Sequence, residues 1–206
     1  QEDTQFNVNF VDGLVETDRF GNYVGAIAES WDHNDDSSVW TFHLKNGVNW
    51  STNSGEVYDE VKAQDFVTSA RHVAEFKSAT VQNLSVIAGL ADYSKNGDYS
   101  DEAWAKVGVK ALDDYTVEYT LDTPTPYFYT SVEYMPFYPI SQKFLESKGD
   151  GCKLGNPDVN SCSFGSLTPD SILYCGGFVL TAADSKSKTV ITKNQNYWDA
   201  ENIKLD

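Results

Sequence analysis

The chain has 206 residues, enough for one sizeable core or two small lobes. Hydrophobic residues at 40% and aromatic residues at 14% exclude a disordered chain. The 31 acidic and 15 basic residues give a net charge of -16, which repels anions. Nucleic acid is therefore a poor partner: phosphate neutralisation needs clustered Lys and Arg, and the arginines are Arg19 and Arg71 alone.

No run of about 20 apolar residues is present to span a bilayer. The chain begins at Gln1 rather than methionine, as a processed or excised chain would. The lack of an export signal is thus no argument for the cytoplasm.

Taken in chain order, Phe6, Val8 and Phe10 alternate, and an apolar stretch follows around Leu14 and Val15. Residues 18–22, with Gly21, read as a turn, and the polar run DHNDDSS reads as a loop. In SSVWTFHLKNGVNW (37–50), Trp40, Phe42 and Leu44 share one face of a period-two strand, with His43 on the other. Asn46-Gly47 suits a tight turn, so a hairpin or a sharp bend follows before Val48 and Trp50 resume the alternation.

The period then changes. Phe66, Ala70, Val73, Ala74 and Lys77 at three and four spacing predict a helix over 63–77, with Asp65 in its first turn. A second helix is expected over 80–93, carried by Val81, Leu84, Ile87, Ala88 and Ala91. A short one is expected after Ser100, with Trp104 facing inward. VGVKALDDYTVEYTL reads as a hairpin turning at Asp113-Asp114.

YFYTSVEYMPFYPI cannot be a central strand, because Pro136 and Pro139 lack the amide hydrogen that a ladder needs. A short helix over 140–148, a polar surface excursion over 149–170, and a strand pair over 177–181 and 187–192 complete the pattern. Hairpins, then helices, then hairpins favour a mixed α/β fold of α+β character.

The sequence carries few signatures of chemistry. The glycines lack the spacing of a dinucleotide fingerprint, and there is no Walker sequence or Gly-x-Ser-x-Gly elbow. His33, His43 and His72 do not stand at metal-ligand spacing from one another; the last two read as structural or surface residues. No nucleophile and base can be assembled, so an enzyme is the least favoured class, and no cofactor is implied. Cys152 and Cys162 flank the loop GCKLGNPDVNSCSFG, where a disulfide would imply an oxidising compartment; the alternative is three separate thiols, Cys175 included. Tyr127, Phe128, Tyr129, Tyr134, Phe137 and Tyr138 lie within twelve residues. They either line a cleft for peptide or sugar, or pack a proline-shaped segment onto the core. Trp50, Tyr127, Phe128, Tyr134 and Phe137 are the candidate ligand-binding residues.

Six segments in order resemble the extracellular substrate-binding proteins of oligopeptide ABC transporters, in their Gram-positive lipoprotein branch. They are VDGLVETDRFGNYVGAIAESWDHNDDSSVWTFHLKNGVNWS, VKAQDFVTSARHV, VGVKALDDYTVEYTLDTPTPYF, FYPISQKFLESKG, TPDSILYCGGFVL and KNQNYWDAENIKLD. The hallmark positions include Ala28, Ser30 and Trp31, then Trp40, Thr41, Phe42, Leu44, Gly47, Val48 and Trp50. Lys62 stands where the family has a threonine-type helix cap, and Gly176-Gly177-Phe178 replaces its Gly-Pro-Phe. The loop holding Cys152 and Cys162 is not expected of the family.

The resemblance implies a two-lobed binding-protein-like fold that closes over an extended peptide. Residues 1–206 would be the first part of the first lobe, with a small subdomain at about 30–170 and the second lobe lying outside it. It also implies a monomer, lipid-anchored at the cell surface in the full-length parent, delivering oligopeptides to a membrane permease. Two rival readings are an adhesive or structural surface domain, and the same scaffold with a non-peptide ligand such as nickel, heme or a sugar.

Overall fold

The computed structural model describes residues 8–166, 168–184 and 188–205. Part of the Phe6, Val8 and Phe10 alternation thus lies outside the described residues. At the centre is a four-stranded antiparallel sheet in the order β3-β4-β8-β7. Its strands are β3 (Ala28–His33), β4 (Val39–Leu44), β7 (Val109–Asp113) and β8 (Thr116–Thr120). The period-two pattern of β4 becomes a two-faced strand: Trp40, Phe42 and Leu44 are buried, and His43 faces solvent beside Asp32, 3.1 Å away. Register puts Phe42 opposite Trp31 on one side and Val117 on the other. β7 and β8 form the expected hairpin.

Both edges of β4 are therefore occupied, so the chain after Asn46-Gly47 cannot fold back on it. It bends, with Gly47 at φ +78°, into a separate hairpin of β5 (Asn49–Ser51) and β6 (Val57–Glu60). Two more antiparallel pairs complete the strands: β1 (Val15–Thr17) with β2 (Tyr23–Gly25), and β9 (Phe178–Asp184) with β10 (Lys188–Lys193).

Helix α1 (Ala63–Glu75) lays Phe66, Ala70, Val73 and Ala74 onto β7 and β8. It ends before Lys77, which is exposed at φ +49° rather than sharing the buried face. At its start the Asp65 carboxylate accepts from the Lys62 amide at 3.1 Å. This is half of a capping box, since an ammonium side chain has no lone pair to complete it.

The helix expected over 80–93 is broken. A 3-10 turn (Val81–Leu84) gives way to turns around an isolated bridge from Ile87 to Leu121, and α2 (Leu90–Asn96) starts only after Gly89 at φ +71°. Tertiary hydrogen bonds outweigh helical periodicity there. Ala88 donates to Thr120 O at 2.9 Å, and Gly108 and Asp122 donate to Ala88 O and Val86 O at 2.8 and 3.0 Å. Next, α3 (Asp101–Trp104) is capped by Ser100 Oγ, which accepts from the Ala103 amide. Trp104 packs 5.1 Å from the Tyr93 ring.

The aromatic segment folds as a short helix α4 (Phe128–Ser131) and a 3-10 turn (Met135–Phe137), followed by α5 (Gln142–Ser147). The 149–170 excursion is pinned to the body. Cys152 and Cys162 are joined by a disulfide, their Cα atoms 4.8 Å apart. Buried Glu75 accepts from Arg71 Nε, Tyr93 OH and the Gly155 amide at 2.6, 2.5 and 2.7 Å. Cys175 is buried and free.

Candidate functional site

The segment after Ser171 returns to the start of the described chain. Cys175 and Gly176 donate to Phe10 O, and Phe178 donates to Asn9 O. Backbones approach so closely that a Cβ on Gly176 would lie 2.8 Å from Asn9 O and 2.9 Å from Val11 N. This is the physical reason for glycine there, with or without the proline that resemblance leads one to expect next. The indole N–H of Trp198 then donates to Asp12 at 2.9 Å.

Two hollows flank the irregular segment 10–13 and share Val11 and Tyr138. The larger, about 550 Å³, is apolar. Ser69 and Val73 of α1 form one wall, and Met135, Pro136, Pro139 and Ile140 form another. Phe164 from the excursion, Leu173 just after it and Leu180 of β9 complete the lining. The prolines explain why this wall is irregular backbone. Trp50 lines it with its ring, because its indole nitrogen already donates to Asp65 at 2.8 Å. Burial of Asp65 pushes its carboxyl up to about 6 despite that bond.

The smaller hollow, about 430 Å³, is an acidic groove holding Asp12, Glu16, Glu133 and Tyr134. Burial raises the carboxyls of Asp12 and Glu16 above the ordinary range, and their mutual repulsion adds to this at Glu16. The nearest cation is Lys45, whose ammonium lies 3.7 Å over the Trp198 ring and donates to Gly25 O and Ala26 O. Thr17 Oγ1 donates to Glu133 at 2.6 Å.

The five aromatic candidates part company. Trp50 reaches the apolar hollow although it is 2% exposed. Tyr134, 63% exposed, stands at the acidic groove. Phe128 and Phe137 must be corrected: both are core residues, packed 5.4 and 6.1 Å from the Tyr119 ring and 5.7 Å from each other, and present no face to a ligand. Tyr127 is exposed before α4 and lines neither hollow. Sequence reasoning missed the walls from α1 and the excursion, and also the carboxylates, which were lost among 31 acidic residues.

His72 is a structural residue, its ring 4.3 and 5.5 Å from those of Phe76 and Phe164. Its Nδ1 is buried without a hydrogen-bond partner, and burial pushes the imidazole down to about 4. Among the described residues no group of three or more His, Cys, Asp or Glu is placed to hold a metal, and no helix is long and apolar enough to cross a membrane.

Residues 22–206 match the family described as bacterial extracellular solute-binding proteins, family 5. The chain is 40% identical over 201 residues to the oligopeptide-binding protein SarA of Streptococcus gordonii, covering 97% of this chain and 28% of that protein. It superposes with a TM-score of 0.82 and 30% identity on the substrate-binding domain of an oligopeptide ABC transporter from Bacillus anthracis. That match covers 98% of this chain and 35% of the other. The peptide-bound OppA of Listeria monocytogenes gives a TM-score of 0.80 at 27% identity, covering 100% and 37%. The mixed α/β fold is thus one part of the two-lobed architecture of much longer relatives. The chain belongs to family 5 of the bacterial extracellular solute-binding proteins.

Proposed function

We propose that this chain forms one wall of the cleft in a longer, non-catalytic protein that captures extracellular oligopeptides for import by an ABC transporter. The observation that carries the reading is the 40% identity, over 97% of the chain, with a protein named for oligopeptide binding. The two hollows suit it: one is apolar, for side chains, and the other is acidic, for cationic groups. Extended peptides are held by backbone hydrogen bonds, with loose side-chain pockets supplying preference. In the same proposal, residues 1–206 belong to the first lobe, with a small subdomain at about 30–170. The parent acts as a monomer outside the cytoplasm, tethered by a lipid, and delivers its cargo to a membrane permease.

Calorimetry of the full-length protein with mixed short peptides tests this. Saturable heat with a defined stoichiometry is expected; silence across the mixtures would count against peptide capture.

A further inference from the structure

The larger hollow carries a finer statement about which peptides are taken. Charged residues make up 22% of the chain, yet none of the side chains lining this space of about 550 Å³ is charged. Its polar groups are largely committed elsewhere. Ser171 Oγ donates to Ser166 O and Thr168 O at 2.5 and 2.7 Å, and Ser141 Oγ accepts from the Phe144 amide at 3.4 Å. The Trp50 indole nitrogen is held by Asp65, and burial keeps Tyr138 neutral. A charged group entering this space would lose hydration and find no counter-ion among the lining side chains. An apolar side chain gives up only rotamer freedom on entry and gains the burial of its surface.

The volume lies within the roughly 300–1,000 Å³ of clefts that hold small organic ligands, so there is room for more than one side chain. The adjoining groove adds a sign. Asp12, Glu16 and Glu133 lie just across Val11 and Tyr138, so an acidic residue near the hollow is repelled.

Resting on the proposed peptide-binding role, we infer that this hollow is a specificity pocket for large apolar side chains, which makes the protein select hydrophobic peptides and reject acidic ones. The occupant is a peptide segment carrying Phe-sized or Leu-sized residues. Two alternatives are residues of the longer protein filling the hollow from within, and a free apolar compound.

The test uses the full-length protein and a set of hexapeptides in which one guest residue (Ala, Leu, Phe, Lys or Asp) is stepped along an otherwise constant sequence. At one position Leu and Phe are expected to bind about tenfold to a hundredfold tighter than Ala, and Asp more weakly than Ala. Two variants locate that preference. Ala183→Trp fills the hollow from an exposed position on β9, and Thr80→Asp puts a charge at its half-buried rim. Both should erase the Leu and Phe advantage while leaving the Ala-guest peptide within about threefold. Equal binding of all guests at every position overturns the inference and leaves peptide capture standing. So does an apolar preference that both variants leave intact, since the pocket then lies elsewhere or the hollow is filled from within. Failure of every peptide, together with binding of an uncharged apolar dye that Ala183→Trp abolishes, overturns the peptide reading itself.

Discussion

The Asp65 carboxylate joins the start of α1 to Trp50, and its replacement separates charge from hydrogen bonding. Its Oδ2 accepts from both the Trp50 indole and the Lys62 amide. Asp65→Asn keeps one carbonyl oxygen for both donors and removes the charge. Burial holds the carboxyl near 6, against 3.8 in an unfolded chain. The folded state therefore binds a proton that the unfolded state releases between about pH 4 and 6. The stability this brings is fully present below pH 4 and lost as pH rises through 6. At roughly 1.4 kcal/mol per pKa unit the swing is about 3 kcal/mol. Asp65→Asn lacks it, so the variant should match the wild type below pH 4 and exceed it by about 1 kcal/mol at pH 4.5 and about 3 kcal/mol at pH 7.5. Asp65→Ala should lie about 2–4 kcal/mol below Asp65→Asn at every pH, because Trp50 is 2% exposed and its N–H is left unpaired as the cap is lost. Urea titrations followed by tryptophan fluorescence at pH 4.5, 6 and 7.5 measure all three proteins. Parallel pH curves for wild type and Asp65→Asn would refute the buried-charge argument, and equal stability of the Asn and Ala variants would refute the anchoring of Trp50.

His72 should slope the other way. Its folded value near 4 lies below 6.5, so stability falls as pH drops from about 6.5 to 4; His72→Phe should remove that loss, about 3 kcal/mol, in the same titrations. Replacing the buried Glu75 by Gln strips the charge from a pair with Arg71 and should cost about 3 kcal/mol. Hydrogen exchange should then quicken at the Gly155 amide, and unchanged exchange there would count against the network. Opening the Cys152–Cys162 bridge, which spans 10 residues, should cost about 2–3 kcal/mol by chain entropy. Alkylation followed by mass spectrometry should label no cysteine in the native chain and one, Cys175, after unfolding without reductant; three labels would mean no bridge.

Local chemistry made much of this fold legible. The alternation of β4, the β7–β8 hairpin and the Ser100 cap depend on neighbours in sequence, and each stands where those neighbours put it. What was not legible depends on distant partners. The break before Gly89 is imposed by hydrogen bonds from 86–88 to 108 and 120–122. The bend after Asn46-Gly47 follows from β3 and β8 already occupying both sides of β4.

The site shows the same division. Composition singled out the aromatic and proline segment that supplies a wall of the apolar hollow, but could not say which rings point inward. Phe128 and Tyr127 are adjacent, and the first turn of α4 buries one and exposes the other. The carboxylates of the acidic groove come from β1, the irregular segment before it and residue 133, a meeting that only the assembled chain brings about.

The central claim is that the parent protein carries oligopeptides. Its most direct test is to isolate the full-length protein from its own source without denaturation, unfold it, and identify the released ligand by mass spectrometry. Oligopeptides rich in Leu, Phe and similar residues are the predicted result. A nickel complex, a heme or a sugar as the released species, with no peptide, would contradict it.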